Sequence, residues 1–162
     1  MDREDLLKTR EQRFSEKKWD RMFVSRSMIT SEAFLSLKTA AAHKVLMIFL
    51  NKCQWKPVEA KPKRKAGYYL ANNGEIQFTY IEAREKWGIS DGRFLRAIDE
   101  LVQKGFIDIA KSGLGLHKDV TLYAISDRWE KYGADDFVHI ERPKRVEQLG
   151  FRKGNRHGRN CR

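Results

Sequence analysis

The feature that most constrains the fold is the segment GISDGRFLRAIDELVQKGF, residues 88–106. Its apolar residues recur at steps of three and four positions, the spacing that gives a helix one buried face. At about 100° per residue, a set of residues shares the side of Ile98, namely Phe94, Leu95, Leu101, Val102 and Gly105. The segment therefore predicts a helix over residues 90–104 that packs one face into a core.

The first turn of this helix is unusual in composition. Ser90 is the predicted N-cap, and Asp91 follows it, where an acid complements the positive end of the helix dipole. Gly92 costs about 1 kcal/mol relative to alanine in a helix. A turn without a side chain, however, allows the backbone of another molecule to approach closely. The turn therefore indicates a contact made by the leading end of the helix.

The outward side of the same helix has a gradient of charge. Arg93 and Arg96 lie near its start, whereas Asp99 and Glu100 make its later part acidic. A helix lying flat on a phosphate backbone would be basic throughout, and one inserted by its N-terminal end would have this gradient. The candidate nucleic-acid contacts on the helix are Ser90, Gly92, Arg93, Arg96 and Gln103.

Elements with clear signatures flank this helix. The stretch TYIE, residues 79–82, fits a capping box and predicts a short helix that runs to Trp87. After the long helix, β-prone runs at 106–109 and 120–125 predict two strands joined by a Gly-rich loop at 110–119. The basic residues of that loop are Lys111, His117 and Lys118.

Residues 30–54 predict two helices, the first capped by Thr30 or Ser31 and the second by Thr39. The second helix has a buried face at helical spacing, formed by Ala42, Leu46, Phe49, Leu50 and Cys53. Its other face is also apolar, through Val45, Met47 and Ile48. We therefore expect a central helix, or one shared with an N-terminal arm or a second subunit, which would give a homodimer through the arm or residues 40–54. His43 is expected to be packed and not to bind a metal.

Residues 55–67, WKPVEAKPKRKAG, are predicted to form a loop, since two prolines interrupt regular structure and the lysines repel one another. Its run KPKRK is either solvated charge or a phosphate contact. Residues 68–80, YYLANNGEIQFTY, predict a β-hairpin that turns at Asn72, Asn73 and Gly74.

The charge of the chain favours a polyanionic partner. The formal net charge is +11, and residues from Arg142 onward carry eight basic residues against one acid, Glu147, or +7 of that total. The basic residues of the tail expected to contact phosphates are Arg142, Lys144, Arg145, Arg152, Lys153, Arg156 and Arg159. Such asymmetry favours nucleic acid but does not by itself separate DNA, RNA and anionic lipid.

Other features of the sequence indicate the cellular compartment in which the protein is expected. The longest apolar run, VLMIFL at 45–50, is too short to span a bilayer, and no secretory signal is visible. Cys53 and Cys161 form neither a disulfide framework nor a metal spacing, which suits a reducing cytoplasm, with nucleoid association if the chain binds DNA. The set Asp135, Asp136, His139 and Glu141 has hard-metal donors, but loop solvation is the favoured interpretation. No cofactor and no catalytic activity are expected.

The segment GEIQFTYIEAREKWGISDGRFLRAIDELVQKGFIDI resembles the winged helix-turn-helix family, especially in GIS at the start of the second helix and KGFI after it. The stretch SEAFLSLKTAAAHKVLMIFL looks like the first helix of such domains in bacterial, phage and plasmid regulatory or replication proteins. The resemblance covers about residues 30–128. One departure is Arg84, where the family has a small residue four positions before the turn glycine, which would shift the packing of the two helices by one residue.

The resemblance implies that Ser90, Gly92, Arg93 and Arg96 read base edges, and that Lys111, His117 and Lys118 contact phosphates. The predicted fold is α+β and mainly helical, with a winged helix-turn-helix domain at 30–130 and a flexible basic tail at 131–162. Residues 1–29 are predicted to form a charged helical arm or, alternatively, a solvated and partly disordered leader. The expected function is non-enzymatic binding of double-stranded DNA, in transcription regulation or as a replication initiator or accessory factor. The alternatives are a protein-interaction adaptor and an RNA-binding accessory protein that uses the tail.

Overall fold

The computed structural model describes residues 22–58, 67–113 and 120–142. These ranges form an α+β structure, as predicted. Their α-helices are α1 (Arg26–Thr30), α2 (Glu32–Leu35), α3 (Ala40–Asn51), α4 (Tyr80–Glu85) and α5 (Asp91–Gln103), and a 3-10 helix follows at Arg128–Lys131. Their strands are β1 (Trp55–Pro57), β2 (Tyr68–Leu70), β3 (Ile76–Gln77), β4 (Ile107–Lys111) and β5 (Leu122–Ile125). No helix in the described ranges is long and apolar enough to cross a membrane.

Four of these helices have a serine or threonine as their N-cap residue. Each cap accepts the backbone N–H group three residues on, at Ser25 for α1, Ser31 for α2, Thr39 for α3 and Thr79 for α4. The predicted cap at Thr39 is confirmed, and Ser31 is the cap of α2 because Thr30 is the last residue of α1. The capping box at 79–82 is formed in part, since the carboxylate of Glu82 contacts Lys52 Nζ at 2.7 Å.

Helix α3 is central. Its buried residues lie around most of its circumference and are Ala42, Val45, Leu46, Ile48, Phe49 and Leu50. Burial within the chain itself accounts for the apolar character of this helix. His43 is half-buried, with its Nδ1 3.1 Å from the carbonyl oxygen of Thr39 and its ring edge-on to Phe34. The expectation of a packed histidine is therefore confirmed.

A chain of aromatic rings joins α3 to α5 and the sheet. The Phe78 ring lies 5.5 Å from Phe49 and 4.7 Å from Phe94, both edge-on, and Phe49 lies 5.1 Å from Tyr123. All four side chains are buried. Full burial of a side chain of this size contributes about 1.5–3 kcal/mol, so this cluster fixes α5 firmly against the rest of the fold.

The strands after α5 form a sheet with β3 in the order β3-β5-β4, antiparallel throughout. Ile107 pairs with Ile125 at one end, and Lys111 pairs with Leu122 at the other, where the connection between β4 and β5 begins. The predicted hairpin after α5 is thus present. Its loop residues 114–119, which include His117 and Lys118, lie outside the described residues.

The predicted hairpin across residues 68–80 is wrong, and so is the description of all of 55–67 as a loop. Strand β2 pairs with β1 in a separate two-stranded sheet, and β3 pairs with β5. Asn72 ties the end of β2 to the chain before β1, because its side chain accepts the Gln54 N–H at 2.8 Å and donates to the Lys52 carbonyl at 3.0 Å. Asn73 bonds the other sheet, because its Oδ1 accepts the Ile125 N–H at 2.7 Å and its Nδ2 donates to the Ile125 carbonyl at 3.2 Å. The Asn-Asn-Gly sequence therefore joins two sheets.

The chain after β5 packs back on the domain. Trp129 is buried and stacks on Phe106 with ring centroids 6.1 Å apart, as expected for a residue that covers the end of the core. Phe137 is buried too, although residues from 131 were assigned to the flexible tail. Arg128 donates to the Val138 carbonyl at 2.9 Å and forms an ion pair with Asp108 of β4. Residues 131–142 are thus attached to the domain.

Candidate nucleic-acid interface

The turn between α4 and α5 is held by contacts on its inner side. Gly88 takes a φ of +64°, a conformation that favours glycine, and the buried Ile89 donates its N–H to the Ala83 carbonyl at 2.8 Å. Lys44 of α3 donates to the Trp87 carbonyl at 2.6 Å. The buried small residue of α4 is Ala83, five positions before Gly88, and Arg84 is exposed.

The leading end of α5 is uncovered. Ser90, Asp91, Gly92 and Arg93 are all exposed. The predicted cap is corrected in one respect, since Ser90 is the N-cap residue but its side chain makes no capping hydrogen bond. Asp91 instead lies 3.5 Å from the guanidinium of Arg84 on the preceding helix. One N-terminal N–H group of α5 is therefore left without the usual side-chain acceptor.

Arg93 and Arg96 both extend from the exposed face of α5. In the part of the chain that the structure describes, neither has an ion-pair partner. A Cβ placed on Gly92 would lie 3.9 Å from the Arg96 guanidinium. No other atom lies within 4 Å of it, leaving the backbone of α5 aside. The Arg96 side chain thus lies beside the first turn. Both cations are available to an anion that approaches the start of α5.

The acidic side chains farther along α5 form an ion pair and hydrogen bonds with other groups of the same chain. Asp99 pairs with Arg142 at 2.8 Å. Glu100 accepts the backbone N–H of Lys38 and the hydroxyl of Thr39 at 3.3 Å, which fastens α5 to the turn before α3. The acidic part of the outward face is therefore compensated by contacts within the chain, and the basic leading end stays open to solvent.

A groove of about 500 Å³ follows the later part of this face. Arg96, Asp99 and Gln103 line it from α5, and residues 139–141 line it from the C-terminal segment. Gln103, expected to contact nucleic acid, is exposed but lies in this groove and not at the leading end. The sequence did not indicate this arrangement, because the segment that borders α5 follows it by more than thirty residues and has no helical or strand periodicity.

The other predicted contacts are divided between described and undescribed residues. Lys111 is exposed and is the last residue of β4, next to the loop that joins β4 to β5. Arg142 forms an ion pair with Asp99 of α5, and the basic tail that starts at Arg142 therefore starts beside this helix. The remaining basic residues of the predicted tail contacts lie outside the described residues, namely Lys144, Arg145, Arg152, Lys153, Arg156 and Arg159.

Groups suited to chemistry are few in the described ranges. Burial raises the pKa of the Cys53 thiol to about 11, so the thiol is protonated and weakly nucleophilic at neutral pH. A hydrogen bond from Lys131 lowers the pKa of Asp136, whose carboxylate is thereby paired. Among the described residues, no three His, Cys, Asp or Glu side chains are grouped so that they could hold a metal ion. Neither pKa shift belongs to the face of α5.

Comparisons with protein-family models, with curated proteins and with solved structures gave no match.

Proposed function

We propose that this chain is a winged helix-turn-helix protein that binds double-stranded DNA through the leading end of α5. The observation that carries the proposal is the exposed pair Arg93 and Arg96 beside Gly92 at the start of a helix whose opposite face is fully buried. An α-helix fits the major groove of B-DNA, and arginine is the commonest reader of guanine there. A helix anchored by its inner face can present these groups without distortion.

The arrangement around α5 supports the same proposal. Helix α4 and a glycine turn precede α5, and the antiparallel strands β4 and β5 follow it, with β5 paired to β3 as well as to β4. A helix, a turn, a recognition helix and a hairpin in this order are the parts of a winged helix-turn-helix domain. Lys111 begins the connection that would act as the wing. Phosphate contacts by the wing would fix the register of the helix on the duplex.

The position of the tail also supports DNA binding. Arg142 contacts Asp99 on the outward face of α5, so the tail starts beside the proposed interface. Seven further basic residues follow Arg142, with Glu147 as the one acid among them. Basic residues tethered next to a groove-binding helix would neutralise phosphates of the same duplex. Whether the protein acts in transcription regulation or in replication depends on its target sites.

The proposal is tested by competition binding with duplex DNA, structured RNA and heparin. We expect the wild-type chain to prefer a duplex sequence selected from a random pool. Arg93→Ala and Arg96→Ala should each weaken binding to that sequence by about 1–3 kcal/mol and relax the preference. Arg26→Ala, which removes an exposed arginine of α1, is the matched control and should have little effect.

Two results would contradict the proposal and favour another class of protein. Equal affinity for every duplex and for heparin, unchanged by the arginine substitutions, would favour an interaction adaptor whose charge has no recognition role. Tighter binding to structured RNA than to any duplex would favour an RNA-binding accessory protein that uses its tail.

A further inference from the structure

The outer edge of strand β2 is unpaired and uncharged. Strand β2 (Tyr68–Leu70) pairs with β1 on one side, and Tyr68 and Tyr69 are 58% and 50% exposed. Within the ranges that the structure describes, no backbone hydrogen bond joins its other side to a strand or loop. An exposed strand edge is a template for pairing with another chain unless charged side chains or proline protect it. No residue of β2 is charged or a proline.

The hydrogen bonds at the two ends of the β1–β2 pair determine which backbone groups of β2 point outward. Ala71 donates its N–H to the Gln54 carbonyl, and Val58 donates its N–H to the Gly67 carbonyl, each at 2.8 Å. In an antiparallel pair, hydrogen-bonded residues alternate with residues whose N–H and C=O point away from the partner strand. The middle residue of β2, Tyr69, therefore directs its backbone groups toward β1. The first and last residues of β2 direct theirs outward.

The outer edge of β1 is protected, in contrast to that of β2. By the same alternation, Trp55 and Pro57 are the residues of β1 whose backbone groups point outward. Proline has no N–H group, so Pro57 cannot donate to an added strand. A second β1 paired antiparallel about Lys56 would also place two ammonium groups directly opposite each other, which is unfavourable. The sheet of β1 and β2 therefore has one edge that can be extended, the edge of β2.

Strand β2 is complementary to a second copy of itself. When two such strands pair antiparallel about a twofold axis at Tyr69, Tyr68 of each copy faces Leu70 of the other. Each outward N–H of these two residues then meets an outward C=O of the second copy. The two Tyr69 side chains face each other at the centre, and aromatic pairs in this position stabilise antiparallel strands. A twofold contact requires a surface that matches itself, and β2 meets this requirement.

Charge repulsion at this edge is small, although each copy has a formal net charge of +11. Lys56 pairs with Tyr69, so the two Lys56 residues of the joined sheet would be separated by three strand spacings, about 14 Å. The screening length at physiological salt is about 8 Å, which is shorter than this separation. Because the two copies of β2 run in opposite directions, the segments that join β1 to β2 leave the sheet at opposite ends.

We propose that β2 pairs with β2 of a second copy of this chain, giving a twofold dimer centred on Tyr69. The outward backbone groups of Tyr68 and Leu70, the absence of charge on the strand and the blocked edge at Pro57 carry this inference. Pairing also joins two small sheets, each marginally stable by itself, into one larger sheet. The contact is smaller than a standard interface, so we expect a dissociation constant on the order of 100 µM. The inference does not depend on recognition of duplex DNA by α5.

The test is sedimentation equilibrium of the full-length chain, free of nucleic acid, at concentrations from about 1 µM to about 1 mM. The wild-type chain should pass from monomer to dimer in this range. Tyr69→Glu and Tyr69→Lys should each weaken the dimer roughly ten-fold or more, because each places like charges directly opposite at the twofold axis. An equimolar mixture of the two variants should associate again, because it places opposite charges there.

Controls show whether the effect belongs to this edge. Tyr69→Phe retains the ring and should retain the dimer. Leu35→Glu, which adds an acid at a side chain that is 72% exposed on α2, should dimerise as the wild-type chain does. Arg93→Ala and Arg96→Ala should also leave the dissociation constant unchanged, whatever they do to duplex binding. A failure of the function proposed for α5 is therefore distinguishable from a failure of this inference.

Three results would overturn the inference. A wild-type chain that stays monomeric up to about 1 mM would leave the edge of β2 to an extended strand of another protein, the mode of binding known as β-augmentation. A dimer that neither Tyr69→Glu nor Tyr69→Lys weakens would place the contact elsewhere. An equimolar mixture of these two variants that stays as monomeric as its components would show that position 69 does not face itself across a twofold axis.

Discussion

Two glycines at the ends of α5 differ in what surrounds them. At Gly92, leaving the backbone of α5 aside, the atom nearest to an added Cβ would be in the Arg96 guanidinium, 3.9 Å away. At Gly105 φ is +81°, and an added Cβ would lie 2.7 Å from Arg128 Cβ and 2.8 Å from the Trp129 nitrogen. The fold therefore requires glycine at position 105 and does not require it at position 92. In the proposed function, the glycine at position 92 leaves room for the DNA backbone at the start of α5.

This difference gives a prediction at the residue scale. Gly92→Ala should raise the free energy of unfolding by about 0.5–1 kcal/mol, because alanine favours the helix and no backbone atom obstructs its methyl group. It should at the same time weaken duplex binding, since the methyl group separates the helix from the DNA backbone. Chemical denaturation and duplex titration measure the two effects.

Gly105→Ala is the contrasting variant, and it should lower the free energy of unfolding by more than about 2 kcal/mol through backbone strain and steric overlap. If Gly92→Ala binds duplex DNA as tightly as the wild-type chain does, the leading turn of α5 is not closely approached by DNA.

Single residues also show how far a sequence predicts a site. The exposed positions of Arg93 and Arg96 could be predicted because helical spacing places them opposite a strongly apolar face. The pair of Asp99 with Arg142 could not, since it joins residues that are distant in sequence and have no shared pattern. The hydrogen-bonding state of Ser90 also depends on tertiary structure, because a cap residue is recognised from its type alone.

Among the elements, α5 is fastened to the start of α3 by one carboxylate, in addition to its buried apolar face. Glu100 accepts hydrogen bonds from the Lys38 backbone and the Thr39 hydroxyl, and Thr39 is itself the cap of α3. One glutamate therefore links α5 to the start of the central helix α3.

Glu100→Ala should lower the free energy of unfolding by about 1–2 kcal/mol, because it leaves a backbone donor and a hydroxyl without this acceptor. Glu100→Gln retains an amide oxygen and should cost less. Urea denaturation of the two variants provides the measurement. Equal stability of both variants and the wild-type chain would show that these hydrogen bonds do not hold α5 in place.

Elements differed in how well their pairing could be predicted. The strands after α5 were predicted correctly because their partner is adjacent in sequence and their apolar residues alternate. The partner of β2 was predicted wrongly because Asn72, Asn73 and Gly74 are common turn residues, and their side chains here bond two separate parts of the fold. Composition identifies a turn residue, but the bonds that its side chain makes depend on the whole structure.

At the scale of the whole molecule, most of the net charge follows the described domain. Residues after Arg142 include seven basic residues and one acid. Replacement of the seven basic residues by glutamine in the full-length chain should reduce the salt dependence of duplex binding, by about 0.9 in the logarithmic slope for each phosphate that the tail no longer neutralises. Arg142 is kept, because it pairs with Asp99. An unchanged slope would mean that the tail does not bind DNA.

The central claim is that an arginine at the leading end of α5 reads a guanine edge in the major groove. The most direct test replaces each guanine of the selected duplex in turn with 7-deazaguanine, which lacks the N7 acceptor. We expect one such replacement to weaken binding by the wild-type chain by about 1–3 kcal/mol and to have little effect on Arg93→Ala or on Arg96→Ala. Equal weakening for the wild-type chain and both variants, or no weakening at any guanine, would contradict the claim.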